Sequence, residues 1–560
     1  MARATRPTIM ENLHHLETVI LLMAVVIALT AFARRALVPY PILLVLGGLI
    51  LGNLPGLPVV RLNPDLVFLV FLPPILWAAA YFTSLRDFRA NMRPISLLAV
   101  GLVLTTTAVV AVVVHTLLPG MGWAEAVTLG AIVSPPDAVA ATAIGRQLRI
   151  PYRVITILEG ESLVNDATAL VLYRAAVGAA VSGTFLLSHV FAQFFLAAAI
   201  GVAIGLAVGL VNRLALRYLD DSFSEIALSL LAPYVAWILA EYAHASSVLA
   251  CVAGGIYIRQ YFSVIVAPAT RLQARAVWDV LIFLLNGFIF ILIGLQLGPL
   301  RAAVPYGKLG TFLWHGALIS LTVIGVRLVW VPIAAYLPRR LSPALRARDP
   351  LPPWSVLFLI AWVAMRGIVS LAAALALPLT TASGASFPFR DEIILLTFAV
   401  ILFTLVLQGL SLAPLIHALH LRDDHALEYE EARAREHAAI SALARLEELA
   451  AEGWALPECL AQLRVDYTRR ARRFVQPMPD DPNASPQITA VLRRLRHETL
   501  MAERCAVIGL RNAGVISDEV LFHIEQELDV EAMQAGIGEL RISLAANSRD
   551  AATESSRLEP

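Results

Sequence analysis

The sequence is poor in charged residues and in cysteines. Asp, Glu, Lys and Arg make up 15% of the 560 residues, whereas soluble proteins carry about a quarter. The three cysteines, Cys251, Cys459 and Cys505, are far apart and have neither zinc-site nor redox spacing. The histidines form no His-Glu-x-x-His motif, and a net charge of +1 disfavours a nucleic-acid partner. We therefore expect no disulfide framework, no soft-metal centre, no cofactor and no nucleic-acid binding.

Long apolar runs dominate residues 1–421, whereas residues 422–560 are charged and polar. The chain is 58% hydrophobic, with a mean hydropathy of +0.73. A membrane-spanning helix needs about 20 apolar residues. The stretches that meet this length are centred near residues 25, 48, 74, 106, 135, 167, 202, 231, 254, 287, 323, 366 and 405. We predict an all-α polytopic membrane protein with about thirteen transmembrane helices, followed by a soluble helical domain.

Arginine-rich loops predict the orientation of the chain in the cell membrane. If the N-terminus is outside, the inner loops include residues 84–94, 146–153 and 336–350, which are rich in arginine. The outer connections are poor in basic residues, as the positive-inside rule requires, with residues 298–308 and the N-terminus as mild exceptions. The first apolar run has no small-residue cleavage site after it, so we expect it to be kept as a helix. The C-terminus is then cytoplasmic.

The C-terminal domain, residues 422–560, does not reveal a function. Residues 426–452 have the composition of an amphipathic helix that ends at Gly453. No Gly-rich phosphate loop follows, and residues 547–560 are expected to be disordered. Two roles stay open for this domain: an oligomerisation or stability element, or a regulatory domain.

Two aspartates lie inside apolar stretches. Asp137 follows the Pro135-Pro136 break, and Asp166 follows Asn165 on a segment that predicts a buried helix. A carboxylate at membrane depth costs at least a few kcal/mol, so it is seldom there for packing alone. Asp137 has an alternative role as the N-cap of a half-helix, but unwound backbone at this depth still has to line protein or water. The pair predicts a site for cations or protons.

Other charges in the apolar spans need partners. Glu161 is five residues from Asp166, which turns the two side chains away from one common helix face. A lone buried charge is strongly destabilising, and Arg366 is a second charge in the middle of a predicted span. We therefore take Arg366 as the candidate partner of Glu161. The role of Arg327 is ambiguous, because an arginine near a helix end would extend its side chain to the membrane interface. Glu159 lies near a helix end, where we expect water to reach it.

Small residues and isolated amides complete the pattern. Gly201, Gly205 and Gly209 form a stripe on one helix face, which predicts close helix packing. Asn286 interrupts another apolar span; lining an ion pathway is one interpretation, and an interhelical hydrogen bond is the favoured one. Neither feature predicts a function.

Five segments together resemble the NhaP-type branch of the monovalent cation:proton antiporters, and the Asn165-Asp166 pair marks that branch. The segments are residues 130–144, 159–173, 278–297, 365–378 and 404–416. The resemblance implies thirteen helices in two inverted repeats, two unwound helices that cross near the ion site, and a homodimer. It also implies that Glu161 pairs with Arg366.

The resemblance assigns roles to the residues of the site. It makes Asp166 the central carboxylate that binds cation and proton, and Asp137 the second carboxylate. Ser162 supplies a hydroxyl and Asn165 orients the site. Many relatives have Thr where this chain has Pro136, so the backbone carbonyl is retained as a ligand while a hydroxyl is lost.

The function implied is electroneutral, one-for-one exchange of Na⁺ or Li⁺ for H⁺ by alternating access. Electrogenic relatives carry a second Asp at the position of the neutral Asn165. The resemblance therefore implies that one proton is exchanged for one monovalent cation. The alternatives are a K⁺/H⁺ antiporter, a proton-coupled symporter of an organic solute and a non-transporting ion sensor. An intramembrane aspartyl protease is disfavoured because its Gly-x-Gly-Asp pattern is absent. We expect a transporter and not an enzyme.

Overall fold

Helices make up most of the part of the protein that the structure describes. The computed structural model describes residues 9–36, 39–53, 67–137, 150–182, 187–219, 221–296, 309–363, 365–421, 426–452, 454, 456–475 and scattered positions between 500 and 531. In chain order the helices are α1 (Ile9–Ala36), α2 (Tyr40–Gly52), α3 (Leu72–Phe82), α4 (Leu85–Ala90), α5 (Met92–Ser96), α6 (Val103–Leu117), α7 (Trp123–Val133), α8 (Tyr152–Ser182), α9 (Leu187–Leu216), α10 (Ser222–Tyr242), α11 (Ser247–Ile265), α12 (Pro268–Leu295), α13 (Leu309–Leu341), α14 (Pro343–Arg348), α15 (Trp354–Trp362), α16 (Ile368–Leu375), α17 (Arg390–Ala418), α18 (Ala426–Ala451) and α19 (Pro457–Val475). Short π-helical segments, Val67–Phe71 and Leu97–Leu102, lead into α3 and α6.

The predicted all-α membrane architecture is confirmed. Each predicted span centre lies within one of these helices or directly beside one. Six helical stretches of the described residues are long and apolar enough to cross a membrane, and four shorter apolar helices accompany them. The number of spans and the inverted repeat stay predictions.

The surface of α9 shows which solvent this fold needs. Only 22% of its apolar window, Phe194–Leu216, is buried inside the protein. Phe195 and Val211 are 66% and 65% exposed. Such a surface would be unfavourable in water, but it matches the hydrocarbon core of a bilayer, where only helices satisfy their own backbone groups.

The glycine stripe packs α9 against α11, as the sequence predicts. A Cβ added at Gly201 would collide with the backbone of Ser246, and one added at Gly205 with the carbonyl of Ala250. Gly48 on α2 lies in the same way against the backbone of Ile291 on α12. Small residues thus let these backbones touch, which is how helices gain packing energy in lipid.

We expect Gly205→Ala to lower the apparent Tm of the detergent-solubilised protein. The added methyl group collides with backbone atoms of Ala250, which cannot rotate away as a flexible side chain can. Overpacking of this kind costs about 1–3 kcal/mol. The matched control is Gly178→Ala on α8, where an added Cβ meets nothing within 4 Å. That variant should be neutral or stabilising, because Ala favours a helix over Gly by about 1 kcal/mol. Equal Tm values for the two variants would contradict the close approach.

An arginine cluster closes the helix ends on the predicted cytoplasmic side. Asp349 accepts hydrogen bonds from Arg93 at 2.8 Å, Arg153 at 3.0 Å and Arg339 at 2.6 Å. Partial burial alone would raise the pKa of Asp349, but the hydrogen bond from Arg153 and the three positive charges outweigh it and lower the pKa. One carboxylate thus holds together segments that are up to 256 residues apart.

We expect Asp349→Asn to destabilise the protein by about 1–3 kcal/mol at neutral pH, because three arginines lose an ionised partner. The pKa of Asp349 is lower in the folded protein, so its contribution is complete above the unfolded pKa of about 3.9. It is lost as the pH falls through the folded value. Tm values measured from pH 7 to pH 3 should therefore converge for the wild type and the variant. A constant difference would contradict this.

Residues 425–560 form a second compact unit, and residues 1–424 form the first. In the second unit α18 packs against α19, with an ion pair of 3.6 Å between Arg464 and Glu447. The predicted helix over residues 426–452 is observed as Ala426–Ala451. Gly453 and residues 547–560 lie outside the described residues. Assigning separate functions to the two units stays a prediction.

Candidate functional site: a cavity with two aspartates

Two segments without helical structure meet inside the membrane unit, one after α7 and one between α15 and α16. Helix α7 ends at Val133 and the chain continues without helical structure through Pro136 to Asp137, because proline lacks the N–H that a helix needs. The second break separates α15 from α16. The two breaks are joined directly: the Asp137 backbone N–H donates to the Met365 carbonyl at 2.7 Å. The half-helix expected after Asp137 falls on residues 138–149, outside the described residues.

The third element at this crossing is α8, a helix of 31 residues. Its Asn165 is fully buried, and the Nδ2 atom donates to the Pro136 carbonyl at 3.0 Å. The neighbouring Asp166 is 8% exposed. Asn165 therefore joins the unwound segment to the helix that carries Asp166, and its orienting role stays a prediction.

A cavity of about 320 Å³ opens at this crossing, and the predicted site residues Pro136, Asp137, Ser162 and Asp166 line its wall. Asn165 lies just behind that wall. Four of the five predicted ligand residues thus share one cavity, and the fifth holds one of them in place. None of the described residues lining the cavity is basic, so the space favours cations over anions.

Sequence reasoning missed several polar groups of the cavity wall. Tyr40, Asn286 and Ser370 line it together with the two aspartates. The Ser370 hydroxyl is buried and has no hydrogen-bond partner among the described residues. The sequence does mark Asn286 as a lone amide in an apolar span, but an interhelical hydrogen bond was the favoured interpretation of it. Tyr40 follows a proline at the start of α2 and gave no signal.

The cavity extends toward the predicted cytoplasmic side. Glu159 lines it seven residues before Asp166, about 10 Å along the helix axis. Asp279, near the N-terminal half of α12, lines it as well. The expectation that water reaches Glu159 agrees with its place in the cavity wall. Acidic groups thus follow the cavity from its mouth to its centre.

The ion pair of Glu161 corrects the predicted one. Glu161 and Arg327 are each 1% exposed and form a bidentate pair, with Nη2 of Arg327 at 2.7 Å from Oε2 and Nη1 donating to Oε1. The Nε atom of Arg327 donates to the Ile360 carbonyl at 3.1 Å, near the end of α15. The partner that the structure gives Glu161 is therefore Arg327 and not Arg366.

The physical reason lies in the depth of Arg327. It sits 14 residues before the end of α13 at Leu341, about 20 Å along the axis, which is too far for its side chain to snorkel. That depth was a usable signal in the sequence. Arg366 is 2% exposed; its backbone N–H donates to Thr404, and its Nε and Nη1 atoms have no hydrogen-bond partner among the described residues.

Gly367 lies directly against the second carboxylate. A Cβ added at Gly367 would overlap the Asp137 side chain. The backbone hydrogen bond from the Asp137 N–H to the Met365 carbonyl keeps the two segments from moving apart. Only a residue without a side chain fits between Asp137 and the unwound segment.

We expect Gly367→Ala to raise the cation concentration for half-maximal transport at least tenfold, which corresponds to about 1.4 kcal/mol, because it displaces the Asp137 carboxylate. Cation-dependent proton flux in proteoliposomes measures this. Gly325→Ala is the control, since an added Cβ at Gly325 meets nothing within 4 Å. Unchanged flux in the Gly367 variant would limit Asp137 to the structural role of a helix cap.

Fold and cavity define a class: a polytopic helical membrane protein in which a carboxylate at a helix break, Asp137, and a carboxylate on a continuous helix, Asp166, line one cation-favouring cavity. Residues 20–418 match the family model described as sodium/hydrogen exchanger, transmembrane. The chain belongs to the sodium/hydrogen exchanger family. It is therefore a transmembrane ion exchanger by family.

Known relatives and a solved structure agree with this membership. An uncharacterized Na⁺/H⁺ exchanger of Mycobacterium tuberculosis is 35% identical over 93% of this chain and 96% of its own. A sodium, potassium, lithium and rubidium/H⁺ antiporter of Bacillus pumilus is 31% identical over 67% of this chain and 57% of its own. The structure of the sodium proton antiporter MjNhaP1 from Methanocaldococcus jannaschii matches with a TM-score of 0.56 at 18% identity, covering 72% of this chain and 98% of that one. The last likeness concerns the fold alone.

Proposed function

We propose that the protein exchanges Na⁺ or Li⁺ for H⁺ one-for-one, with cation and proton competing for Asp166. The observation that carries this proposal is the pair Asp137 and Asp166 in one buried cavity whose described wall has no basic residue. Two negative charges in such a space repel each other, and binding a proton or a cation relieves the repulsion. Either ligand can do this, so each displaces the other.

The ligands are all oxygens. Ser162, Pro136 and the two aspartates line the cavity, and they offer a hydroxyl, a backbone carbonyl and two carboxylates, which are groups that hard cations favour. One lone pair of the Pro136 carbonyl already accepts from Asn165, which leaves the other for an ion. Asn165 carries no charge, so one titrating carboxylate, Asp166, exchanges one proton for one cation.

Alternating access completes the cycle. If the protein switches sides only when Asp166 is neutralised by a proton or a cation, an empty return is prevented and exchange is obligatory. Rocking of one helix bundle against another around a midplane site is the usual geometry. The hydrogen bond that joins the breaks at Asp137 and Met365 supports this proposal, because it brings two unwound segments together beside the cavity.

The placement in the cell is part of the same proposal. Residues 1–421 form the exchange domain in the cell membrane, with the N-terminus outside and the C-terminus cytoplasmic. Residues 422–560 form a cytosolic helical domain, and the protein acts as a homodimer of thirteen-helix subunits. Arginine clusters such as the one around Asp349 support the orientation, because basic loops favour the cytoplasm.

K⁺/H⁺ exchange is a second candidate. The observation in its favour is the name of the Bacillus pumilus relative, which includes potassium and rubidium with sodium and lithium. The donor set of this cavity does not separate the alkali cations by charge, because all of them carry one positive charge. The cation series in the transport assay decides between the two candidates.

The test is proton flux in proteoliposomes. The protein is reconstituted into vesicles with an imposed pH gradient, and NaCl, LiCl or KCl is added with and without a clamped membrane potential. We expect Na⁺ and Li⁺ to dissipate the gradient at rates that the clamp does not change. Lowering the pH should raise the cation concentration for half-maximal rate without lowering the maximal rate, as competition requires. Clamp-dependent rates would overturn electroneutrality, and silence with every cation would overturn the exchange proposal.

A further inference from the structure

A second cavity, of about 450 Å³, lies between α3 and helices α9–α12. Its deeper wall is apolar and aromatic, with Trp77, Phe262 and Trp278. Three basic residues complete the wall, namely Arg259, Arg271 and Arg275, and none of its described lining residues is acidic. The electrostatics are thus opposite to those of the aspartate cavity.

Asn212 adds a polar group that has no partner. It is 4% exposed, it lines the cavity, and neither its Nδ2 nor its Oδ1 atom has a hydrogen-bond partner among the described residues. The neighbouring polar groups are satisfied, since Ser229 accepts from the Trp278 Nε1 atom at 3.1 Å and donates to the Ile226 carbonyl at 2.7 Å. An unpaired buried amide is destabilising, so this one is suited to a ligand that enters the cavity.

The three arginines are held at the wall by neighbouring groups, and Arg275 also forms an ion pair with Asp279 at 3.8 Å. Arg259 lies over the Tyr81 ring at 5.4 Å and Arg275 over the Phe82 ring at 5.7 Å. Arg271 uses its Nη1 atom to bind the Val266 carbonyl at 2.9 Å. Each guanidinium has five N–H donors, and its planar fork matches phosphate oxygens. Pre-positioned arginines of this kind recognise phosphate.

The depth of the cavity indicates the rest of the ligand. Asn212 lies four residues before the end of α9, and Arg271 three residues after the start of α12. Residues 213–221 and 269–276 at these ends contain two arginines each, so the positive-inside rule predicts that both ends lie on the cytoplasmic face, at the level of lipid headgroups. Trp278 lies seven residues further along α12 than Arg271, about 10 Å toward the membrane centre, so the apolar wall continues inward from the basic rim.

We infer that this cavity binds a phosphate group that carries an apolar substituent, as in an anionic phospholipid of the facing leaflet. The phosphate contacts the three arginines and the Asn212 amide donor, and the apolar part lies along the two tryptophans. A phospholipid headgroup and free phosphate present the same anionic group to the arginines. The apolar wall favours the phospholipid, because only the lipid has an apolar part to bury there. This site lies beyond the proposed exchange cycle and does not depend on it.

The experiment measures binding to the full-length protein in a neutral detergent. The probes are short-chain phosphatidylglycerol, phosphatidylcholine with the same chains, and sodium phosphate, and the readout is the Tm shift as a function of probe concentration. Transport is not used as the readout, because Ala78 and Phe82 line both cavities and would mix the two effects. Failure of this inference is thus distinguishable from failure of the exchange proposal.

We expect phosphatidylglycerol to bind more tightly than either other probe. Arg259→Gln should weaken its binding about tenfold or more, as for loss of a charged hydrogen bond, and Asn212→Leu should weaken it as well. Arg259 is exposed, so its variant should fold even if the buried Asn212 variant does not. Arg217→Gln, an equal charge change at an exposed arginine outside the cavity, is the control and should bind like the wild type.

Three results would count against the inference. Equal binding of phosphatidylcholine and phosphatidylglycerol, or wild-type binding by the Arg259 variant, would show that the basic rim recognises no anion. Equal affinity for sodium phosphate would keep the anion site but overturn the lipid as its source.

Discussion

Asp166→Asn is expected to abolish cation-driven proton flux while the protein stays folded. The amide has nearly the same shape as the carboxylate, but it neither titrates nor supplies a negative oxygen. We expect a loss of at least about a hundredfold, which corresponds to about 3 kcal/mol of binding free energy. The apparent Tm should be unchanged or higher, because the variant removes the cost of burying a charge.

The measurement is flux in proteoliposomes alongside the apparent Tm of the same preparation. Asp391→Asn is the matched control, since the same change is made at a side chain that is 85% exposed in the first turn of α17. Cation-dependent flux near the wild-type rate in the Asp166 variant would rule out the competition mechanism. Loss of flux in both variants would instead indicate a general effect of removing an acid.

The parts of the fold that the sequence predicts are those determined locally. Apolar runs of membrane length place a helix at or beside every predicted centre, because a spanning backbone has to satisfy its own hydrogen bonds. The Pro135-Pro136 break is also local, since proline cannot continue a helix. A polar residue surrounded by apolar ones is conspicuous for the same reason, which is why Asp137 and Asp166 could be assigned to one site.

The contacts that could not be predicted depend on how distant segments cross. Glu161 and Arg327 are 166 residues apart, and no helical period connects α8 with α13. The need for a counter-ion is readable from the sequence, but two arginines could meet it, and only the packing decides between them. Tyr40 joins the cavity because α2 lies against α12 through Gly48, a contact that its own neighbours in the chain do not specify.

Breaking the Glu161–Arg327 pair is expected to be the most destabilising single change in the membrane unit. Removing one partner of a buried ion pair costs about 3–5 kcal/mol, because the other charge is left uncompensated. Glu161→Gln and Arg327→Met should therefore each lower the apparent Tm strongly. The double variant should recover part of the loss, since neither charge is then left alone.

A double-mutant cycle distinguishes the observed pair from the predicted one. We expect a coupling of about 2–3 kcal/mol between Glu161 and Arg327, within the range measured for residues in direct contact. The cycle of Glu161→Gln with Arg366→Met is the control, because Arg366 is equally buried but forms no ion pair with Glu161 among the described residues. Its coupling should be clearly smaller. A larger coupling to Arg366 would restore the pairing that the family resemblance implies, and Arg327 would then act mainly through the Ile360 carbonyl at the end of α15.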